Sequence, residues 1–429
     1  MKIRLTLLSF LVAHLAAPAG VSGQGDPGPG TPAAAATKAV NSLGLEVLSK
    51  GTDPKANTLL SPYSIQSALA MTFAGASGDT RAEMARVLHF TGDETELHHS
   101  FASLQKALED VAKSTAELAK LPGHLGGGGE PVTLTVANRL FGQSGYDFRA
   151  PFLGLVKNTY GAPFQPMDFI RNFRAATREI NGWVERQTRQ RIRDLIPADG
   201  LNADTRLVLV NAIYLKAPWM DPFPEYATKP APFHVPHGKN ADVPTMVHQG
   251  YLGYAKRDGY HVVTVPYRGG DLQLLILLPD KVDGLATLEA KLAPDQLAAN
   301  ATPETSEVIL HLPKFKMEPP VFRLGEVLQR LGMKSAFDHP RGTANFDRMA
   351  PRKPNDYLLI SEVFHKTFLA LDEKGTEAAA ATAVAMARAS AFMGKPKPVE
   401  VRVDHPFLFA IQHRPSGACL FLGRITQLP

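Results

Sequence analysis

Apolar positions recur at helical spacing through the first half of the chain, then alternate or run on through the second. Leu43 to Ser49 begins a helical pattern. Leu59 and Leu60 lead into Ser61-Pro62, a pair that can start a helix, and Ile65, Ala68, Leu69 and Phe73 follow at helical spacing. Gly75 and Gly78 end that helix, and Asp79 or Thr80 can cap the next. Residues 95–120 are again helical, HLGGGGEP (124–131) is a loop, and VTLTVANRLF alternates as a strand. INGWVERQTRQRIRDLI, Ile180 to Ile196, reads as a charged helix. Its arginines suit a solvated face, with a basic stripe as the alternative.

Strand patterns dominate from there: RLVLVNAIYL, YHVVTVPY, DLQLLILLP, EVILHLPKFKM, YLLISEVFHKTFLALD and FLFAIQHRPSGACLFLGRI. Gly269-Gly270-Asp271 joins two of them as a hairpin. FRLGEVLQRLGM is a short amphipathic helix between strands. Helices first and strands second predict an α+β fold rather than alternating α/β.

The N-terminus changes the picture. Lys2 and Arg4 precede LTLLSFLVAHLAA, and small residues follow at Ala19, Val21 and Gly23. That order is an export signal, too short for a membrane span, with residues 1–23 expected to be removed. QGDPGPGTPAAAAT (24–37) has the composition of a flexible linker. Residues 38–429 then read as a single domain, without repeats. The expected location is extracellular, or periplasmic in a Gram-negative bacterium.

The net charge of +5 is spread over 46 basic and 41 acidic residues, which is poor support for a nucleic-acid partner. Neither nucleic acid nor membrane is expected as a partner. Cys419 is the only cysteine, so no internal disulfide can form, and ACLFLGR places it in a buried strand. Hydrolase motifs are missing. GASGD and GQSGY fail the nucleophile-elbow spacing, and H-E-x-x-H and a P-loop are absent. HLGGGG has the glycines of an oxyanion loop without a nucleophile beside it. No histidine cluster has metal-ligand spacing, and no metal or cofactor is expected. Asn300-Ala301-Thr302 could accept a glycan in a eukaryotic secretory pathway.

One stretch resists a single assignment. Glu373 to Ala391, EKGTEAAAATAVAMARASA, favours helix by alanine content. At period two it is equally a strand. Thr376, Ala378, Ala380, Thr382, Val384 and Met386 share one face, and Glu377, Ala379, Ala381, Ala383 and Ala385 the other.

The chain resembles the serpin family over nearly all of its expected mature length. The resemblance is carried by SPYSIQSALAMTFAGASGDT, ANRLF, INGWVERQTRQRIRDLIP, LVLVNAIYLKAPW, VPYRGGDLQLLILLP, LPKFKMEPP, LGMKSAF, HKTFLALDEKGTEAAAATA and DHPFLFAIQHRPSGACLFLGRI, in family order. It implies three β-sheets, about nine helices and a reactive loop exposed at one pole. It also implies a suicide inhibitor of serine proteases rather than an enzyme. The protease cuts the loop, is held as an acyl-enzyme, and the loop inserts as a strand of the main sheet. A non-inhibitory carrier or chaperone on the same fold is the alternative.

The resemblance assigns a hinge at Glu373, Gly375, Thr376, Glu377, Ala378, Ala379, Ala380, Ala381 and Thr382. No proline interrupts Glu373 to Met393, so a central strand is possible. Small residues on the Thr376 face can enter a packed core without overpacking it. Glu377 belongs on the outer face, since a charge on the inner one would be buried unpaired. Ser61, Ser64, Asn211 and His365 match a polar cluster beneath the sheet opening, and Trp219 a tryptophan near where insertion starts. The seventeenth residue counted from Glu373 is Ala389. The reactive bond is therefore expected at Ala389-Ser390, with Arg388-Ala389 as the alternative. The first suits an elastase-like or subtilisin-like protease, the second a trypsin-like one. FMGKPKPVEVRVDHPF exceeds the family's usual length after the bond. Residues 95–120 lack the basic cluster of heparin-activated members, so strong cofactor activation is not expected. A monomer is.

Overall fold

The apolar runs of the second half become the centre of a large sheet, and the helical first half packs against it. The computed structural model describes residues 31–236, 238–354, 356–377 and 397–429. In chain order the first elements are α1 (Ala34–Gly51), β1 (Thr58–Leu60), α2 (Pro62–Phe73), α3 (Gly78–Val87) and α4 (Glu94–Lys120). Then come β2 (Thr133–Gln143), α5 (Ala150–Tyr160), β3 (Phe164–Met167), α6 (Phe169–Gln187) and β4 (Leu207–Pro218). The middle holds β5 (Lys229–Phe233), β6 (Ala241–Arg257), β7 (Tyr260–Pro266), β8 (Leu272–Pro279), α7 (Leu285–Lys291) and α8 (Pro294–Ala299). β9 (Thr305–Pro313), β10 (Phe315–Met317), β11 (Phe322–Arg323), α9 (Gly325–Arg330), β12 (Phe364–His365) and β13 (Leu369–Asp372) follow. Last are β14 (Gly375–Thr376), β15 (Val399–Arg402), β16 (Phe407–His413) and β17 (Ala418–Ile425).

They form three sheets. Nine strands run β1-β17-β16-β8-β7-β6-β9-β15, with β5 on β6. Six run β10-β13-β14-β4-β2-β3, and β11 pairs with β12. Every residue of β8, β16 and β17 is buried, which is why these segments read as unbroken apolar runs. Cys419 lies in β17 with no exposed surface, and burial pushes its thiol pKa up, away from reactivity. A second, smaller core of Phe141, Ile180, Trp183, Val210 and Ala212 lies between α6 and the face of β2 and β4. α6 therefore covers the six-stranded sheet on the side away from α2. The α+β architecture with three sheets is as expected, with nine α-helices among the described residues.

Four local expectations change. α1 begins at Ala34, inside the stretch expected as linker, because Ala36, Ala39 and Val40 pack into the core. Ser77 occupies the N-cap of α3, while Thr80 is drawn inside to bond Thr343 and Asn345. α6 starts earlier, capped by Asp168, and stops at Gln187 instead of Ile196 because Arg189 and Gln190 adopt left-handed backbone. Of the strand expected over Tyr357 to Asp372, only β12 and β13 form.

Candidate functional site: the hinge and the gap it enters

β13 and β4 are neighbours in the six-stranded sheet only through β14. Asp372 ends β13 and turns the chain, its Oδ1 accepting the N–H groups of Lys374 (2.9 Å) and Gly375 (3.3 Å). Gly375 then pairs with Asp372 on one side and Pro218 on the other, and Thr376 with Leu371 and Ala217. Gly375 has φ +148°, and a Cβ there would strike the Ala217 carbonyl, so no larger residue fits. Gly375 and Thr376 of the hinge are thus already strand, with both ladders formed. Of the two conformations open in the sequence, strand is the one Gly375 and Thr376 adopt; the stretch from Ala378 lies outside the described residues.

Aromatic residues hold it. Thr376 is 1% exposed, and its hydroxyl lies 2.6 Å from that of Tyr267. Tyr267 stacks on Trp219 at 4.5 Å and 8°, and Trp219 Nε1 donates to the Asp372 carbonyl (2.9 Å). Burial pushes the Tyr267 hydroxyl pKa up, so it stays a neutral hydrogen-bonding group. Glu373 accepts from Lys314 Nζ (2.7 Å) and Thr228 Oγ1 (2.7 Å). Burial opposes its charge, but those two hydrogen bonds outweigh it and keep the carboxyl below its ordinary pKa.

Glu377 leaves the strand. Its φ of +52° breaks the extended backbone, although its N–H still donates to Ala370 O (2.8 Å). Its carboxylate meets Arg191, not the Tyr267 that Thr376 contacts, and it is covered rather than free in solvent. It is ion-paired with Arg191, from the turn after α6, and its side chain is 10% exposed. Burial raises its pKa, against the pull of Arg191, Lys216 and Arg189. Ala378, Ala379, Ala380, Ala381, Thr382, Arg388, Ala389 and Ser390 lie outside the described residues.

Further along the same gap, Ser61, Ser64, Asn211 and His365 come together. Ser61 caps α2, its Oγ accepting the N–H of Ser64 (3.2 Å) and donating to Leu420 O (2.7 Å). The Ser61 N–H donates to His365 Nε2 (3.0 Å), and Ser64 Oγ to Asn211 O (3.4 Å). Asn211 Nδ2 donates to Asn138 Oδ1 (2.5 Å), tying β4 to β2, while Asn211 Oδ1 is buried with no partner among the described residues. Burial pushes His365 down to about 4, so the ring is neutral and its Nε2 is an acceptor. Trp219 is not part of this group; it belongs to the hinge. Tyr267, Lys314, Thr228, Asn138 and Arg191 were not picked out from the sequence. Tyr267 offered one signal, standing two residues before the glycine hairpin in VPYRGG.

The gap already holds the backbone of β14, paired with β13 on one side and β4 on the other. Nothing in it resembles a catalytic constellation, and no group of three or more metal-ligating side chains occurs among the described residues. No described helix is long and apolar enough to cross a membrane.

Residues 38–428 match the family described as serpin (serine protease inhibitor). A leukocyte elastase inhibitor of Bos taurus is 39% identical over 384 residues, covering 87% of this chain and 94% of its own. Among solved structures, cleaved Serpin 42Da has a TM-score of 0.77 at 29% identity, covering 93% of this chain and all of its own. The thermophilic serpin tengpin in its native state has a TM-score of 0.76 at 26% identity, with 91% and 94% covered.

Proposed function

The chain belongs to the serpin family, and on that premise we propose that it is an exported suicide inhibitor of serine proteases, elastase-like ones first. The observation that carries the reading is the hinge strand, paired on both sides before any cleavage. A sheet that already takes Gly375 and Thr376 into its interior needs only lengthening, not a new site.

The register supports how it would lengthen. Continued one for one along β4, Glu377 would fall opposite Lys216, Thr382 opposite Asn211, and Met386 opposite Leu207, where β4 begins. Along the other edge, Thr382 would fall opposite His365. Thr382 would then reach the buried Asn211 Oδ1 that has no partner among the described residues. Each added ladder hydrogen bond stabilises by roughly 1 kcal/mol, so ten new ones would drive insertion strongly.

In the proposed reaction, the protease serine bonds to the carbonyl of Ala389 and the Ser390 amine leaves; Arg388-Ala389 is the alternative bond. Insertion then carries the acyl-enzyme away before water can attack it. A small residue at the bond and the name of the bovine relative both favour an elastase-like target. Subtilisin-like and trypsin-like proteases are the further candidates. Export rests on residues 1–23, and N-terminal sequencing of the secreted protein tests it. The protein is proposed to act as a monomer.

Mixing the protein with elastase-like and trypsin-like proteases tests the reading. A covalent complex surviving denaturing gels is expected, with mass spectrometry of the released C-terminal peptide identifying the bond. The cleaved protein should melt at a markedly higher temperature. Simple cleavage with neither complex nor added stability would establish the non-inhibitory alternative.

A further inference from the structure

Asn300-Ala301-Thr302 is the chain's one Asn-x-Ser/Thr sequon, and the fold puts it where no sugar can stand. Asn300 closes α8, its N–H donating to Gln296 O (3.0 Å), and the residue is 2% exposed. Its side chain reaches two neighbouring strands of the nine-stranded sheet. Nδ2 donates to the Tyr260 hydroxyl (3.2 Å) at the start of β7, and Oδ1 accepts from Arg257 Nε (3.4 Å) at the end of β6. Both halves of the amide are therefore engaged in holding α8 against the β6-β7 turn.

The segment around it is equally fixed. Leu297 is fully buried and Ala301 nearly so. Two buried glutamines reach in from the strands beneath, one on each side of Asn300. Gln412 of β16 donates to Leu297 O (3.2 Å), and Gln273 of β8 to Ala301 O (2.6 Å). Lifting Asn300 to the surface would break all four side-chain hydrogen bonds and take the carbonyl acceptors from two buried amides. Thr302 is exposed, so the sequon straddles the edge of the core, its acceptor inside and its hydroxyl out.

An N-glycan is joined through Nδ2 itself, and its first sugar is bulkier than the asparagine side chain that carries it. Sugar is transferred to the extended chain before folding, so burial does not shield Asn300. It leaves a modified chain unable to close α8. We propose that Asn300 is a structural anchor inside a sequon that has to go unread, and that the protein matures by a route that attaches no glycan to Asn-x-Thr. Together with the proposed export, on which this step alone rests, that selects a bacterial type of route over eukaryotic secretion.

The expected mature chain, residues 24–429, tests this when produced behind a host leader in a eukaryotic secretory host. Supplying the leader separates the outcome from whether residues 1–23 export the chain. Thr302→Ala removes the sequon at an exposed position and leaves Asn300 in place. The parent should acquire an endoglycosidase-sensitive glycan, be retained in the cell and be secreted at least tenfold less than Thr302→Ala. Asp204→Thr/Thr302→Ala moves the sequon to Asn202, in an exposed turn, and should be secreted with its glycan and an unchanged melting temperature. In protein made without glycans, Asn300→Ala should lower the melting temperature by a few degrees. A glycosylated parent with the yield and melting temperature of Thr302→Ala would overturn the proposal, and so would a parent secreted in full yield with Asn300 unmodified. Equal retention of the double variant would overturn it too, since the position of the glycan would then not matter. An unchanged melting temperature in Asn300→Ala would overturn the anchoring role.

Discussion

The gap between β13 and β4 is closed in two different ways at two places about 20 Å apart, six residues of strand. At the hinge, the closing element is the loop's own first two residues, wedged against a stacked Trp219-Tyr267 pair. At the polar cluster, among the described residues, neutral His365, two serines and an asparagine link α2 to the sheet. The first closure is filled, by a strand seated on aromatic rings with its Thr376 hydroxyl on that of Tyr267. The second is polar and holds one acceptor unsatisfied among the described residues. Under the proposed insertion, a strand entering the gap would start by continuing a ladder and later have to exchange hydrogen bonds.

The largest expected effect is at the filled end. Thr376→Arg would bury an unpaired charge against Tyr267, at a cost of several kcal/mol, and the hinge strand cannot form. We expect loss of nearly all covalent complex, with the variant cleaved as an ordinary substrate. Thr376→Val keeps the volume and should still trap protease. Gel-measured stoichiometry separates the two, and normal trapping by the arginine variant would mean the gap does not start at Thr376.

Much of this was legible before any coordinates. Ser61-Pro62 marks a helix start by local chemistry, and the small face from Thr376 onward follows from side-chain size alone. The contacts that seat the hinge were not. Tyr267 and Thr376 are 109 residues apart and Lys314 and Glu373 are 59 apart, and neither pair leaves a local signature. Arg191 reads as solvated helix because its turn is imposed by buried Thr188 and Ile192, not by helix-breaking residues.

Acid should discriminate between the two closures. His365 is neutral when folded, with a pKa of about 4, against about 6.5 unfolded. Its pKa is depressed, so its contribution is fully present above pH 6.5 and is lost as pH falls toward 4. The loss is about 1.4 kcal/mol per pH unit, roughly 3 kcal/mol in all. His413, also held at about 4 by burial, adds a similar slope. Urea unfolding at pH 7, 5.5 and 4.5 should show His365→Gln losing less stability than the parent, by about one proton's worth. Parallel pH curves would mean that His365 is not the sensor.

Glu373→Ala should come next, removing the acceptor of Lys314 and Thr228 for roughly 1–3 kcal/mol, a drop of a few degrees in melting temperature. The comparison assigns that cost to the turn which feeds the loop into the gap. The uncut protein should therefore lose more than the cleaved one, where the inserted strand anchors the turn independently. Equal losses in both would make Glu373 a support of β13 alone.

The smallest effect joins the two ends. If the register of β14 holds along β4, Thr382 arrives opposite Asn211 and donates to its vacant Oδ1. Thr382→Val removes the donor while preserving size and β-branching, so the uncut protein should unfold as the parent does. The cleaved protein should be less stable by about 1 kcal/mol, one hydrogen bond in a buried setting. Asn211→Ala deletes the acceptor and also cuts the link to Asn138, so it should cost both forms. Combined with Thr382→Val, it should show the coupling only after cleavage. Coupling already present in the uncut protein would place Thr382 in the gap from the start, and the two closures would then be one.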